Sequence, residues 1–176
     1  MEIKAILNKP YTENQKIDFI VENNHNKGYE IQETEEQLQA WGKTDAEQLE
    51  KAKQEKYTEA NEKAKEFLEN GNALYEFEEG KHIEATDGNI AKMTAYALAY
   101  VTGQLQPTDT VVWNTKEDET VELTQVQIVQ ILQGLGQVQA VVWSVQYPAY
   151  LQAIEEAITI EEVEAIIIDY TIQINE

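Results

Sequence analysis

Residues 45–69 decide the fold, and their sequence is DAEQLEKAKQEKYTEANEKAKEFLE. The stretch has no glycine or proline and consists largely of Ala, Glu, Lys and Gln, which all have high helix propensity. Glu59 and Lys63 form an acid-before-base pair at i,i+4, the favourable orientation on a helix. Thr44 precedes the stretch as a suitable N-cap, and the Asn-Gly-Asn at 70–72 follows it as a stop. We therefore predict one long helix that links two parts of the chain.

The apolar side of this helix is narrow, and it leaves two interpretations open. Its members are mostly small or aromatic, namely Leu49, Ala52, Tyr57, Ala60, Ala64, Phe67 and Leu68. A stripe so poor in large aliphatic side chains buries little apolar area. We favour a solvated connecting helix, which assigns residues 45–70 as a connector. The alternative is a stalk in which copies of the helix self-associate, and such a stalk requires a sustained a/d pattern.

The residues before the helix predict a helical region with one short strand, which we assign as an attachment region, 1–44. Residues 2–7 are predicted to form the strand, because apolar residues there give way to polar residues and a proline. A helix is predicted over residues 13–24, after a threonine that can cap it. A second, short helix is predicted to carry Leu38 and Trp41.

The residues after the helix change pattern and predict a C-terminal α+β domain over 71–176. Two β-hairpins are predicted, at 74–85 and 110–123, because extended apolar runs flank a glycine turn or a polar loop. About three helices are predicted: one starts at the turn 86–89, one is opened by Thr124 and Gln127 in a capping-box pattern, and one follows Pro148. Thr159 or Ile160 is predicted to start a last short helix. The chain as a whole is therefore predicted to belong to the α+β class.

Two stretches of this domain have a less definite pattern. The valine-rich residues 136–147 fit the spacing of a helix, but their β-branched side chains also suit a strand; we favour the helix. Residues 169–176 are predicted to be an extended tail in which Ile172 and Ile174 alternate with polar residues.

Charge and composition argue against several function classes. The formal net charge is −20, and residues 71–176 carry 17 acids against three lysines. Such a domain repels phosphate backbones and anionic membranes, so neither a nucleic acid nor a membrane is predicted as a partner. No stretch approaches the ~20 consecutive apolar residues of a membrane span. The chain has no cysteine, which excludes disulfides and zinc–thiolate sites.

The sequence shows no arrangement of residues typical of an enzyme. His25 and His82 lie far apart, and neither has a histidine or cysteine neighbour at ligand spacing. Ser144 is the single serine and lacks the glycines of a nucleophile elbow. The Gly-x-Gly at 134–136 lacks the third glycine of a dinucleotide-binding loop. The acidic clusters do not have the spacing of a calcium loop. We therefore predict no catalytic residue, no cofactor and no metal.

Glutamines and tyrosines are the candidates for contact with a partner protein. The helix predicted after Thr124 has glutamines rather than charged residues at its polar positions. In so acidic a protein an uncharged surface is a candidate interface, although ordinary helix surface is the simpler interpretation. Tyrosines have polar tips and favour core margins or interfaces. The candidate contacts are Tyr96, Tyr100, Gln130, Gln133, Gln137, Tyr147 and Tyr150.

Several motifs follow one another in a fixed order after the long helix. The aromatic hairpin from Tyr75 to Ile83 comes first, then an Ala/Met-rich helix, the block WNTKEDETVELT at 113–124 and the IEEV at 160–163. This order resembles an uncharacterised family of bacteriophage and prophage tail-module proteins, in which the 113–124 block is similar to the entry into a long helix. The N-terminal part, from the KPYT at 9–12 to the LQAWG at 38–42, is similar to the leader of tail-fibre-region proteins from phages of Gram-positive hosts.

This resemblance implies a non-enzymatic structural or adaptor protein of the tail, baseplate or fibre that acts by protein–protein interaction. Its expected partners are other phage tail or fibre proteins, with a homo-oligomer as a further option. Its expected location is the host cytoplasm during assembly, with the virion tail as a second location. Two alternatives stay open: a tail-fibre assembly chaperone that is absent from the mature virion, and an acidic decoy that mimics nucleic acid.

Overall fold

A three-stranded antiparallel sheet forms much of the N-terminal region in the computed structural model, which describes residues 1–172. Its strands are β1 (Glu2–Asn8), β2 (Glu30–Glu33) and β3 (Gln37–Gly42), and β3 lies between the other two. Helix α1 (Glu13–Ile20) follows β1 and continues as a π-helical turn, Val21–Asn26. The strand at the N-terminus and the first helix therefore occur where the sequence predicts them.

The prediction of a short helix around Leu38 and Trp41 is wrong, because both residues belong to β3. Leu38, Ala40 and Gly42 are buried, and the positions between them are only half-buried. This period of two is that of a strand. Gly42 also packs closely, since a Cβ there would lie 2.8 Å from the ring of Tyr29. The N-terminal region therefore combines a three-stranded sheet with one helical segment, whereas the sequence predicted helices and one short strand.

The middle of the chain forms one long helix, two β-hairpins and the helix between the hairpins. The elements are α2 (Asp45–Glu69), β4 (Leu74–Glu78), β5 (Lys81–Glu84), α3 (Asp87–Val101), β6 (Val111–Asn114) and β7 (Thr120–Leu123). β4 pairs with β5, and β6 pairs with β7, both antiparallel. Thr44 and Thr86 are the N-caps of α2 and α3. The long helix at 45–69 and both hairpins are confirmed.

A continuous helix runs from Gln125 to Glu156. It comprises α4 (Gln125–Ala140), a π-helical turn (Val141–Gln146) and α5 (Tyr147–Glu156), so the valine-rich stretch is helical, as favoured. The helix is 32 residues long and contains an 18-residue window with a mean hydropathy of 1.3. By length and composition alone it could cross a membrane, which differs from the expectation of no such stretch. Here a third of that window is buried, and the buried residues of the helix belong to the hydrophobic core.

Helix α2 docks on the C-terminal part of the chain. It packs against α5 and α6 (Ile160–Glu164) and buries Ala60, Ala64 and Leu68. Alanine at two of these positions lets neighbouring segments approach the helix axis closely. The apolar stripe of α2 is therefore covered within the chain. This arrangement differs from both the solvated connector and the self-associating stalk.

The segment after α6 holds α2 in place. Ile168 and Tyr170 are buried, and the Tyr170 hydroxyl donates a 2.9 Å hydrogen bond to the carbonyl oxygen of Ala60. The Lys63 ammonium donates to the carbonyl oxygen of Ile168 at 3.1 Å. Residues 169–172 have no regular secondary structure, and the predicted alternation at Ile174 lies outside the described residues.

One hydrophobic core joins α2 to the C-terminal part. Its buried residues come from α2, both hairpins, α3, the long helix 125–156 and the segment after α6. The mixed α+β class is therefore confirmed. The division into 1–44, 45–70 and 71–176 stays a prediction. Residues 45–70 share one hydrophobic core with residues of the 71–176 part.

Candidate interaction surface

The long helix is built from a segment without charge. From Leu123 to Ile154 the chain has no acidic or basic side chain, although 26% of all residues are charged. Thr124 caps α4, and Gln127 completes the predicted capping box. Glutamine supports a helix about as well as glutamate or lysine does. Helix formation alone therefore does not explain why this segment lacks charged residues.

The inner face of α4 packs closely into the core. Ile128, Ile131, Leu135 and Val138 are buried. Gly134 lies against β4, because a Cβ at this position would lie 2.2 Å from the ring of Tyr75. These contacts fix the rotation of α4 about its own axis and direct the opposite side of the helix to solvent.

The opposite side of α4 and of the π-helical turn, called the outer face, is exposed and uncharged. It consists of Val126, Val129, Gln130, Gln133, Gly136, Gln137, Ala140, Ser144 and Val145. Val126 and Val145 are 66% and 63% exposed. Single exposed apolar residues are normal on protein surfaces. A continuous uncharged row with exposed valines at both ends is more typical of an interaction surface.

Helix α3 carries a second uncharged stretch. It packs against α4, and its residues 93–101 include no charged side chain. Two large apolar residues near its C-terminal end are exposed, Leu98 at 58% and Val101 at 79%.

The predicted contacts on α3 lie at the margin of the core. The ring of Tyr96 is half-buried and meets the edge of Trp113 at a centroid distance of 6.4 Å. Tyr100 is only 7% exposed, and its hydroxyl donates to the carbonyl oxygen of Asp109 at 2.8 Å. These two tyrosines thus make internal contacts, and Tyr100 has little surface left to offer a partner.

The predicted contacts on the long helix fall into two groups. Tyr147 packs edge-on against Trp143, and the Tyr150 hydroxyl both donates to the backbone oxygen of Asp169 and accepts from its N–H. These tyrosines are half-buried within the chain. The three glutamines are different, because all of them are exposed on the outer face: Gln130, Gln133 and Gln137. Their role in partner contact stays a prediction.

Two polar contacts between the two hairpins were not foreseen from the sequence. The Glu117 carboxylate accepts the backbone N–H of His82 at 3.0 Å and lies 2.8 Å from Nδ1 of the same residue. Lys116 and Glu84 form a second contact at 2.5 Å. Both pairs join residues more than thirty positions apart, so no local pattern indicates them. Within residues 1–172, no three His, Cys, Asp or Glu side chains are grouped to hold a metal ion.

The contact at Glu117 makes stability depend on pH in the acid range. The backbone N–H of His82 is the main cause that lowers the pKa of Glu117 from 4.5 to about 2. Because the pKa of Glu117 is lower in the folded than in the unfolded chain, its ionised carboxylate stabilises the protein above about pH 4.5. This contribution is lost as the pH falls toward about 2. We expect Glu117→Gln to lower the urea midpoint at neutral pH and to differ little from the native chain near pH 2. Glu119→Gln, in the same loop, is the control, and equal curves for both variants would contradict the assignment.

Fold and surface together define an acidic α+β protein with an uncharged helical face. Residues 51–171 match the model of a protein family described as a domain of unknown function, DUF4376. The match spans more than half of the chain, and the protein belongs to this family. No curated protein and no solved structure matches the chain.

Proposed function

We propose that this protein is a non-enzymatic component of a phage tail module that acts by protein–protein interaction. In this proposal the N-terminal region 1–44 attaches to one tail, baseplate or fibre protein. The C-terminal part presents the outer face of α4 to a second protein. The tail context comes from the resemblance of the motifs, since the family description carries no activity.

The single observation that supports an interaction role is the charge pattern. Every charged residue of the segment 71–176 lies outside 123–154, although this segment has a net charge of −14. A charged side chain is desolvated when a partner covers it, and interface cores are accordingly depleted in charge. The outer face of α4 can be covered without that cost. An exposed helix face selected only for solubility would carry acids instead.

The proposal is tested in virions and in lysates of a host that produces the phage encoding this chain. Mass spectrometry of purified virions is expected to detect the protein as a tail component. Recovery with tail or fibre proteins from lysates, together with absence from virions, would instead indicate the assembly chaperone. Recovery of a basic nucleic-acid-binding host protein, released by added salt, would indicate the acidic decoy. Absence of every tail protein from both preparations would refute the proposal.

A further inference from the structure

Two pairs of exposed residues on the outer face of α4 are arranged symmetrically about Gln137. Val129 and Val145 lie eight residues to either side of Gln137, and both are exposed. Gln130 and Ser144 lie seven residues to either side, and both are exposed and polar. If two copies pack antiparallel about Gln137, Val129 of one copy lies at the level of Val145 of the other. In the same way Gln130 lies at the level of Ser144. A two-fold symmetric interface requires this kind of self-complementary surface.

The amide side chains also suit a partner that carries the same residues. Glutamine is both a hydrogen-bond donor and an acceptor, so Gln137 can bond to Gln137 of a second copy. A row of acids or lysines would instead place like charges opposite each other. Gly136 has no atom within 4 Å of a Cβ position, and Ala140 is small, so another helix can approach α4 closely at this level.

Charge restricts how two copies of this chain can meet. Each copy has a formal net charge of −20, so most pairs of faces repel. The outer face of α4 lies within the segment 123–154, which has no charge. Two copies that meet here keep their acids at the margins of the contact. Added salt screens the remaining repulsion over a distance of about 10 Å at 0.1 M.

From these observations we infer that the outer face of α4 binds a second copy of this chain, antiparallel, with the two-fold axis at Gln137. The inference rests on the proposed function and specifies the partner of this surface. The N-terminal region then stays available for a tail or fibre protein, and each dimer presents two such regions.

The size of the face sets the expected strength of the dimer. From Val126 to Val145 a helix spans about 30 Å at a width of about 10–12 Å, or roughly 300–350 Å² in projection. A standard interface buries about 800 Å² per partner, so we expect a dimer of moderate affinity that dissociates on dilution.

A membrane surface is the competing occupant, because the same helix passes a hydropathy test for a membrane span. The structure disfavours it. Ile128, Ile131 and Leu135 are buried in the core, so insertion of the helix would require the core to open. The segment 123–154 also offers no basic side chain to anionic headgroups, and the acids around it repel them.

Sedimentation velocity of the full chain over about 1–500 μM tests the dimer. We expect a dissociation constant on the order of 10–100 μM. Gln137→Glu and Gln137→Lys each place like charges at the axis, and each is expected to raise the dissociation constant by roughly tenfold or more. An equimolar mixture of the two variants is expected to restore the dimer, because opposite charges then face each other. Higher salt is expected to strengthen the native dimer.

Cross-linking locates the interface independently of affinity. The chain has no cysteine, so Gln137→Cys introduces one thiol per copy. Residues at a two-fold axis lie opposite their own copies, and a covalent dimer is expected under mild oxidation. Gln54→Cys, exposed on α2, is the matched control and is expected to form no covalent dimer. Circular dichroism checks that each variant folds.

Three results would overturn the inference: a native chain that is monomeric throughout, a dimer that both Gln137 charge variants leave unchanged, or flotation of the native chain with phosphatidylcholine vesicles. A monomeric Gln137→Glu variant that is still recovered with virions would show that tail association does not need the dimer. Failure of the dimer and failure of the proposed function are therefore separate outcomes.

Discussion

Tyr170→Ala is expected to lower the free energy of unfolding by about 3–5 kcal/mol, the usual cost of truncating a buried aromatic side chain. Tyr170 is 4% exposed and lies between the rings of Phe67 on α2 and Tyr150 on α5, at centroid distances of 6.3 and 5.2 Å. Its removal would leave a cavity where α2, α5 and the segment after α6 meet. Urea unfolding followed by circular dichroism measures the change.

Tyr170→Phe separates the ring from the hydroxyl group. The phenylalanine keeps the ring contacts and loses only the bond to the carbonyl oxygen of Ala60, so we expect a cost of about 1 kcal/mol. Equal losses for both variants would contradict the cavity argument.

The ionisation of Tyr170 gives a second readout of its burial. Burial raises the pKa of Tyr170 from 10.0 to about 12. Because the pKa of Tyr170 is higher in the folded than in the unfolded chain, its neutral hydroxyl group stabilises the protein below about pH 10. This contribution is lost as the pH rises toward about 12. Absorbance titration of the native chain and of Tyr170→Phe is expected to differ by one tyrosine that ionises late.

The sequence predicts those parts of the fold whose signals are local. The bounds of α2 follow from a capping threonine, a run of helix formers and an Asn-Gly stop, and they agree with the structure. Thr124 and Thr159 begin helices for the same reason. The two hairpins have turns of their own, and Gly80, with a φ of +72°, supplies the left-handed position in the first.

The prediction at 37–42 failed because its deciding contacts are distant in sequence. β3 is stabilised by pairing with β1, in which Leu38 lies opposite Leu7 and Trp41 opposite Ile3. No local pattern shows that these partners are available. Leu38 and Trp41 are three residues apart, which also fits one side of a helix, and the alternation through Ala40 and Gly42 is weak because both residues are small.

The docking of α2 was missed for a related reason. Ala60 and Ala64 contribute little apolar area, so the stripe looked too weak to be buried. In the structure their small size is what allows the segment around Tyr170 to reach the helix backbone. A pattern of hydrophobicity records the area that a residue can bury, but it does not record how closely a neighbour can approach.

The candidate surface was predictable in part. Glutamine at the polar positions of an apolar helix identified the exposed residues Gln130, Gln133 and Gln137, since a long amide on the polar side of a helix faces solvent. The tyrosines gave no such information, because a tyrosine suits a core margin as well as an interface. The hydroxyl groups of Tyr100 and Tyr150 donate to backbone oxygens of loops 9 and 19 residues further along the chain, contacts that sequence spacing does not reveal.

Two glycines two residues apart on α4 are expected to respond to the same substitution with opposite signs. Gly134→Ala places a Cβ about 2.2 Å from ring atoms of Tyr75. The half-buried ring must move, and β4 with it, so we expect a loss of about 1–3 kcal/mol. Gly136→Ala meets no atom within 4 Å and improves helix propensity, so we expect a gain of roughly 0.5–1 kcal/mol.

Urea unfolding at low protein concentration measures both changes without a contribution from self-association. A double-mutant cycle then identifies the cause. In a Tyr75→Leu background the ring is absent, so Gly134→Ala is expected to lose most of its cost, whereas Gly136→Ala keeps its gain. If Gly134→Ala costs the same in both backgrounds, the contact with Tyr75 is not what requires glycine. Other contacts would then have to explain how the first hairpin packs against α4. They would also have to explain the rotation of α4 that directs Gln137 to solvent.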